Sequence, residues 1–143
     1  MKLRKIVKND ICNIYAFLKE AGLFVRSVQR EIKEFELLIK YNPDTCFVIE
    51  IDNKIVGSIF GAFNGRRAWI YHLCIHPLYQ KRGYGSLLLK KTEEELNKKG
   101  ATKILLGLFL SNLKITPFYE NFGYKPMSDA ITFEKDLWKE KSV

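Results

Sequence analysis

The chain has 143 residues, 47% of them hydrophobic and 28% charged, with a formal net charge of +8. That length suits one domain with one real core, and the composition is ordinary for a soluble globular protein. No run of about 18 uncharged apolar residues occurs, which excludes a membrane-spanning helix, and Met1 to Ile6 is too charged for a signal peptide.

The basic excess invites nucleic acid as a partner. The lysines and arginines interleave with glutamates along the whole chain, however, and neither a five-residue basic block nor an aromatic-basic platform is present. Nucleic acid is therefore not the expected partner, although a polyanionic small ligand needs only a few of these charges. Cys12, Cys46 and Cys74 fit neither a disulfide framework nor a zinc pattern. They read as small apolar residues in a reducing cytoplasm, and no metal is expected.

Leu3 to Val7 reads as a short first strand. Asp10 is placed to cap a helix through about Glu20, with Ile11, Ile14, Tyr15 and Leu18 on one face, and Gly22 ends it. After the apolar connector Leu23-Phe24-Val25, Ser27 caps a second helix in which Val28, Ile32, Phe35 and Ile39 repeat at helical spacing. This helix stops near Asn42-Pro43. Cys46 to Ile51, Lys54 to Phe63 and Arg66 to Ile75 then read as an antiparallel meander, turning at Asp52-Asn53 and at the two-residue hairpin Asn64-Gly65.

A helix from about Ser86 to Lys99 follows, with Glu94–Lys98 and Glu95–Lys99 as i,i+4 pairs and Gly100 just beyond its end. Thr102 to Leu110 is almost continuously apolar, the pattern of a strand buried on both faces. Thr116 caps a short helix with Pro117 in its first turn and Gly123 after its end. Ile131-Thr132-Phe133 reads as a last strand. One α+β domain spans residues 1–143.

Between the third meander strand and the following helix lies Gln80-Lys81-Arg82-Gly83-Tyr84-Gly85-Ser86. A strand, a basic glycine-containing loop and a helix start suit a pyrophosphate, because the first helical amides lack acceptors and carry partial positive charge. Two glycines let the backbone approach an anion, and Lys81 and Arg82 add full charges. The Gly-x-x-x-x-Gly-Lys-Ser/Thr loop is absent, and Leu88 stands where a dinucleotide fingerprint needs its third small residue. A plain strand-to-helix turn is the remaining alternative for the glycines alone.

The surrounding residues narrow this further. Ile75-His76-Pro77-Leu78-Tyr79-Gln80-Lys81-Arg82-Gly83-Tyr84-Gly85 closely resembles the acetyl-CoA signature of the GNAT N-acetyltransferase superfamily. Ser111-Asn112 and Phe118-Tyr119-Glu120-Asn121-Phe122-Gly123-Tyr124 are similar to its second motif. Together with the element order, the resemblance covers nearly the whole chain. It implies a mixed, mostly antiparallel sheet flanked by helices, with the cofactor in a splay between two central strands.

In such enzymes the strand before the loop carries a β-bulge, and the pantetheine arm pairs with its exposed backbone. By that resemblance Leu73, Cys74 and Ile75 contact the pantetheine and acetyl group through backbone amides, one of which can polarise the thioester carbonyl. Lys81, Arg82, Gly83, Tyr84, Gly85 and Ser86 would wrap the pyrophosphate. Asn112 matches the position that contacts the cofactor arm, with an ordinary turn asparagine as the alternative. Tyr119 matches the general acid that protonates the departing thiolate, a core tyrosine being the other reading.

The implied reaction is direct transfer of an acetyl group from acetyl-CoA to a primary amine of a small molecule or peptide, through a tetrahedral intermediate and without a Cys74 acyl-enzyme. Gly107 stands where ribosomal-protein-type relatives carry a basic glutamate. The base is left open among Glu50, Tyr71, His72 and water. The chain thus resembles short, single-domain bacterial members of unassigned substrate, and Leu23-Phe24-Val25 corresponds to their substrate-lining loop. An acyl-CoA sensor with the same fold and no transfer is the alternative, supported by Gly107. A homodimer follows by family analogy alone.

Overall fold

Runs of β-branched and aromatic residues between turn-forming pairs set the central strands. The computed structural model describes residues 1–23 and 25–139. They form two compact units, Met1–Gly107 and Leu108–Val143. The first unit is built on a five-stranded sheet in sequential order: β1 (Lys2–Lys5), β2 (Cys46–Ile51), β3 (Lys54–Phe63), β4 (Ala68–Ile75) and β5 (Ile104–Leu106). All neighbours are antiparallel except β4 and β5, which run parallel. This is the mixed, mostly antiparallel sheet that the resemblance implies.

Helices α1 (Ile11–Glu20) and α2 (Val28–Tyr41) cover one face. There Ile11, Ile14, Phe17, Leu18 and Phe35 form one buried cluster with Cys46, Val48 and Phe60 of the sheet. The Phe35 and Phe60 rings stack at 4.9 Å, a contact worth about 1 kcal/mol beyond its buried area. Helix α3 (Tyr84–Lys98) packs on the opposite face through the fully buried Leu88, Leu89 and Leu96. Its close approach requires Gly61. A Cβ there would lie 2.7 Å from Thr92 Cγ2 and 2.8 Å from the Thr45 carbonyl oxygen.

A charged cluster ties the start of the chain to the sheet. Arg4 makes a two-pronged contact with Asp10 at 2.7 and 2.8 Å and reaches Glu50 at 2.6 Å. Asp10 also accepts the Val7 amide at 2.8 Å. Asp10 therefore does not cap α1 as expected; it ends a 3-10 turn, and Arg4 holds its carboxyl below the ordinary range.

Several other sequence expectations change for local reasons. Ser27 occupies the N-cap of α2, but its side chain makes no capping bond. The Asn64-Gly65 hairpin is a four-residue connection, because the Asn64 side chain takes the Arg66 and Arg67 amides, both at 2.9 Å. Lys98 pairs with Glu95, while Lys99 turns to Asp44 at 2.9 Å, so neither expected i,i+4 pair forms. The strand expected over Thr102 to Leu110 shrinks to three half-buried residues at the sheet edge, since its ladder with β4 ends at Leu106.

The second unit contains a 3-10 segment (Leu110–Ile115) and the short helix α4 (Thr116–Glu120). Thr116 does not cap α4; its hydroxyl donates back to the Leu113 carbonyl at 2.6 Å. Ile131-Thr132-Phe133 is not a strand. No strand pairs with it among the described residues, and a lone extended triplet gains no ladder hydrogen bonds.

Replacing Gly61 by alanine is expected to destabilise the fold by about 1–3 kcal/mol, because neither the Thr45 backbone nor the α3 contact can yield freely. Urea unfolding should show a lower midpoint with an unchanged slope. Acid sensitivity follows from Asp10. Its folded-state pKa lies below the ordinary 3.8, so its contribution is complete above that pH and is lost as pH falls further. Asp10→Asn should be less stable at neutral pH and flatter in its loss of stability below pH 3.8 than the parent.

Candidate active site

The site begins at a change of phase in β4. Ser58 of β3 faces Cys74, yet Phe60 faces Tyr71, so β4 carries one extra residue in between. The extra residue is absorbed at His72, which takes a left-handed φ of +51°. The Ser58 hydroxyl donates to its carbonyl at 3.0 Å and fixes the bulge.

The bulge reverses which amides face which neighbour. Before it, the Ala68 amide donates to Lys103, toward β5; after it, the His76 amide donates to Val56, toward β3. Strand alternation then turns the amides of Leu73 and Ile75 toward the β5 side, whereas the Cys74 amide, expected to act with them, faces β3, where Cys74 pairs with Ser58. Pairing with β5 stops at Ile70, so among the described residues no strand occupies that side of Tyr71 to Ile75. The bulge and the parting of strands implied by the resemblance are both present. Gln80 Nε2 donates to the Ile75 carbonyl at 3.0 Å and so secures the end of this free edge.

Beyond the edge the chain makes a 3-10 turn (Pro77–Tyr79) and enters α3 at Tyr84, two residues earlier than expected. Gly83 is the N-cap, with φ +84°, and Lys81 is also left-handed at +63°. The first α-helical bond is Leu87 N–H to the Gly83 carbonyl at 3.0 Å. The amides of Tyr84, Gly85 and Ser86 are thus the helix's free donors. No side chain caps them, and no acidic residue lies in this turn. Lys81 and Arg82 stand exposed beside them, with Arg82 over the Tyr79 ring at 5.2 Å. A Cβ on Gly83 would meet no atom within 4 Å, so open space lies in front of it.

The candidate bases separate clearly. Glu50 is held by Arg4 on β2, across β3 from the site, and its carboxyl is pulled below the ordinary range. It leaves the set. Burial raises the Tyr71 phenol above its ordinary value of 10.0, which makes it a poor proton acceptor at neutral pH. His72 is half-buried, its ring edge-on to Phe35 at 5.2 Å. Burial, and after it the charge of Arg26, hold its imidazole below the ordinary 6.5. Burial pushes the Cys74 thiol up to about 12, so this group stays protonated and unreactive.

One residue of interest is absent from the expected set. Glu31 of α2 is 3% exposed, and its Oε2 lies 3.9 Å from His72 Nε2. Its other oxygen accepts the Arg26 amide at 3.2 Å. Val28, assigned to the buried stripe by periodicity, is instead exposed, because the stripe is rotated toward Glu31 and Phe35. The i,i+4 relation of Glu31 to Phe35 was the available signal. Both residues line a 390 Å³ cavity between α2 and the sheet, together with Arg26, Leu38, Tyr71 and His72. Of the expected substrate-lining loop, Leu23 packs against the core cluster, Val25 does likewise, and Phe24 lies outside the described residues.

In the second unit, Asn112 is half-buried and interrupts the 3-10 segment with φ −120° and ψ 21°. Tyr119 of α4 is 7% exposed, set edge-on to Phe118 at 5.1 Å and Tyr124 at 5.9 Å. Burial pushes its phenol up to about 12.

Comparison with known proteins agrees with this architecture. The Acetyltransferase (GNAT) family profile matches residues 10–124. An acetyltransferase of Pectobacterium atrosepticum is 32% identical over 108 residues, 76% of each chain. A predicted acetyltransferase from Clostridium acetobutylicum, solved with acetyl-CoA, superposes with a TM-score of 0.74 at 15% identity, covering 93% of this chain and 95% of that one. The ribosomal-protein-S18-alanine N-acetyltransferase of Escherichia coli gives a TM-score of 0.73 at 21% identity, covering 89% and 79%. The sheet, the bulged fourth strand and these matches together make the chain a member of the GNAT acetyltransferase family.

Proposed function

We propose that the protein is an acetyl-CoA-dependent N-acetyltransferase that moves an acetyl group to a primary amine of a small molecule or peptide by direct attack. One observation carries the reading: the phase reversal at His72 leaves the Leu73 and Ile75 amides on an unpaired edge that leads straight to the free amides of α3. An amide-bearing arm fits such an edge as an added strand, and a pyrophosphate fits the helix start with Lys81 and Arg82 beside it. The acetyl-CoA bound by the Clostridium acetobutylicum relative supports the choice of donor. The alanine-directed activity of the Escherichia coli relative supports an amine acceptor.

In this reading the edge amides orient the thioester and stabilise negative charge on its carbonyl oxygen. The amine nitrogen attacks the carbonyl carbon, and the C–S bond breaks. Tyr119 supplies a proton to the leaving sulfur, and Asn112 contacts the cofactor arm; both roles rest on the register of the second motif. A phenol near 12 is fully protonated at neutral pH, as an acid must be before it acts. The high Cys74 thiol supports direct transfer over an acyl-enzyme.

The decisive measurement is thiol release from acetyl-CoA across a panel of amines and peptides. Release that depends on the amine supports the transferase. CoA binding with no release for any amine would favour a sensor instead. Tyr119→Phe should lower kcat roughly 100-fold while CoA affinity stays at the parent value. Gly83→Ala places a methyl group in the open space before the helix start and should weaken CoA binding roughly tenfold by calorimetry. The strain of a left-handed alanine should cost the fold only about 1 kcal/mol.

A further inference from the structure

The buried carboxylate of Glu31 has no assigned role in cofactor binding, yet it shares a cavity with His72, the residue at which the β4 bulge is absorbed. Its oxygen and His72 Nε2 are 3.9 Å apart, too far for a direct hydrogen bond. An intervening nitrogen about 2.9 Å from each atom would close the triangle. We infer that this cavity receives the acceptor as a cationic primary amine with an apolar arm, Glu31 binding the ammonium and His72 Nε2 taking its proton. The inference rests on the transferase reading above, in which the thioester lies along Leu73 to Ile75, next in sequence to His72.

The surroundings favour this assignment. Glu34, at the cavity rim, is already matched by Arg30 at 2.9 Å, whereas Glu31 meets Arg26 Nη1 only at 3.7 Å. Phe35 and Phe60 hold the imidazole edge-on, so its ring cannot swing away freely. The groups facing His72 are Arg26, Glu31 and Glu34 from the α2 side, the Ser58 hydroxyl on its backbone from β3, and Tyr71 on its own strand. Arg26 opposes protonation and Glu34 favours it, with burial the larger influence, so the imidazole is neutral and able to accept a proton at pH 7. Leu38, Phe35 and Tyr71 give the arm an apolar wall.

The protons balance. The ammonium nitrogen loses two as the C–N bond forms and the C–S bond breaks. One passes to His72 and then to water, and the other is matched by the proton that the thiol sulfur gains.

Two measurements separate this inference from the transferase reading. The chain has two histidines, so selective labelling resolves the His72 ring by NMR. Phenethylamine should shift that ring in the free protein, and 2-phenylethanol, with the same arm and no cation, should not. Glu31→Gln keeps an oxygen for the Arg26 amide but should abolish the shift and raise the amine KM roughly 10- to 100-fold. In thiol release, parent kcat/KM should be flat from pH 7 to about 9, with His72 accepting the proton from bound ammonium. His72→Gln should instead climb about tenfold per pH unit, following free amine alone, with a loss of roughly 100-fold at pH 7. Melting temperature and CoA affinity of both variants, checked first, exclude misfolding.

Amine-dependent His72 shifts without turnover would overturn the transferase reading and keep the cavity as an amine site. Turnover with equal pH profiles in parent and His72→Gln, or an unchanged amine KM in Glu31→Gln, would overturn the inference and leave the transferase standing.

Discussion

The structure depends on one extra residue in β4. Without it, the amides of Leu73 and Ile75 would face β3 and be spent in the sheet ladder. With it, they face the side from which β5 has parted. A backbone edge left unpaired inside a sheet loses hydrogen bonds, and such an edge persists only where the surrounding packing over-determines it. Here the packing is heavy: Ser58 binds the bulge carbonyl, Phe35 and Phe60 clamp the His72 ring, and Leu88 of α3 supports the other face near Gly57.

In the proposed reaction the same bulge serves both ends. It frees backbone donors along one side of β4 and tips the His72 side chain toward α2 on one face. The proposed donor and acceptor sites thereby share a single local geometry, which suits a reaction whose two substrates must meet within about 3 Å. Rigidity near the bulge comes from aromatic contacts and from the close approach of α3 at Gly61, since Glu31 meets His72 and Arg26 only at 3.9 and 3.7 Å. Shorter ion pairs join Arg4, Asp10 and Glu50 at the opposite edge of the sheet and Lys5, Asp44 and Lys99 at the surface.

Much of the fold was legible in the residues. Periodicity placed α1, α2, β2 and β3 almost to the residue, because apolar spacing is a local property. Errors fell where a side chain competed with the backbone. Asn64 widened the hairpin, Asp10 turned to Arg4, and Thr116 bonded backward to Leu113. The apolar triplet Ile131-Thr132-Phe133 has strand composition but no edge to pair with among the described residues, and composition alone cannot supply one.

For the site, the chain itself announced the loop: the spacing of Gln80, Gly83 and Gly85 between a strand and a helix start is a local signal, and the resemblance to the family rests on it and on the second motif. Which amides the loop's strand leaves free is different. That depends on how β4 registers against β3 and where β5 departs, both of which are long-range pairings. The proposed base was equally hidden. Strand position does not separate Glu50, Tyr71 and His72, and only tertiary contacts tie Glu50 to Arg4 and bring His72 within 3.9 Å of Glu31. Local spacing thus determined the loop and helix start proposed to hold the cofactor, while packing between distant segments decided the chemistry of the proposed acceptor cavity.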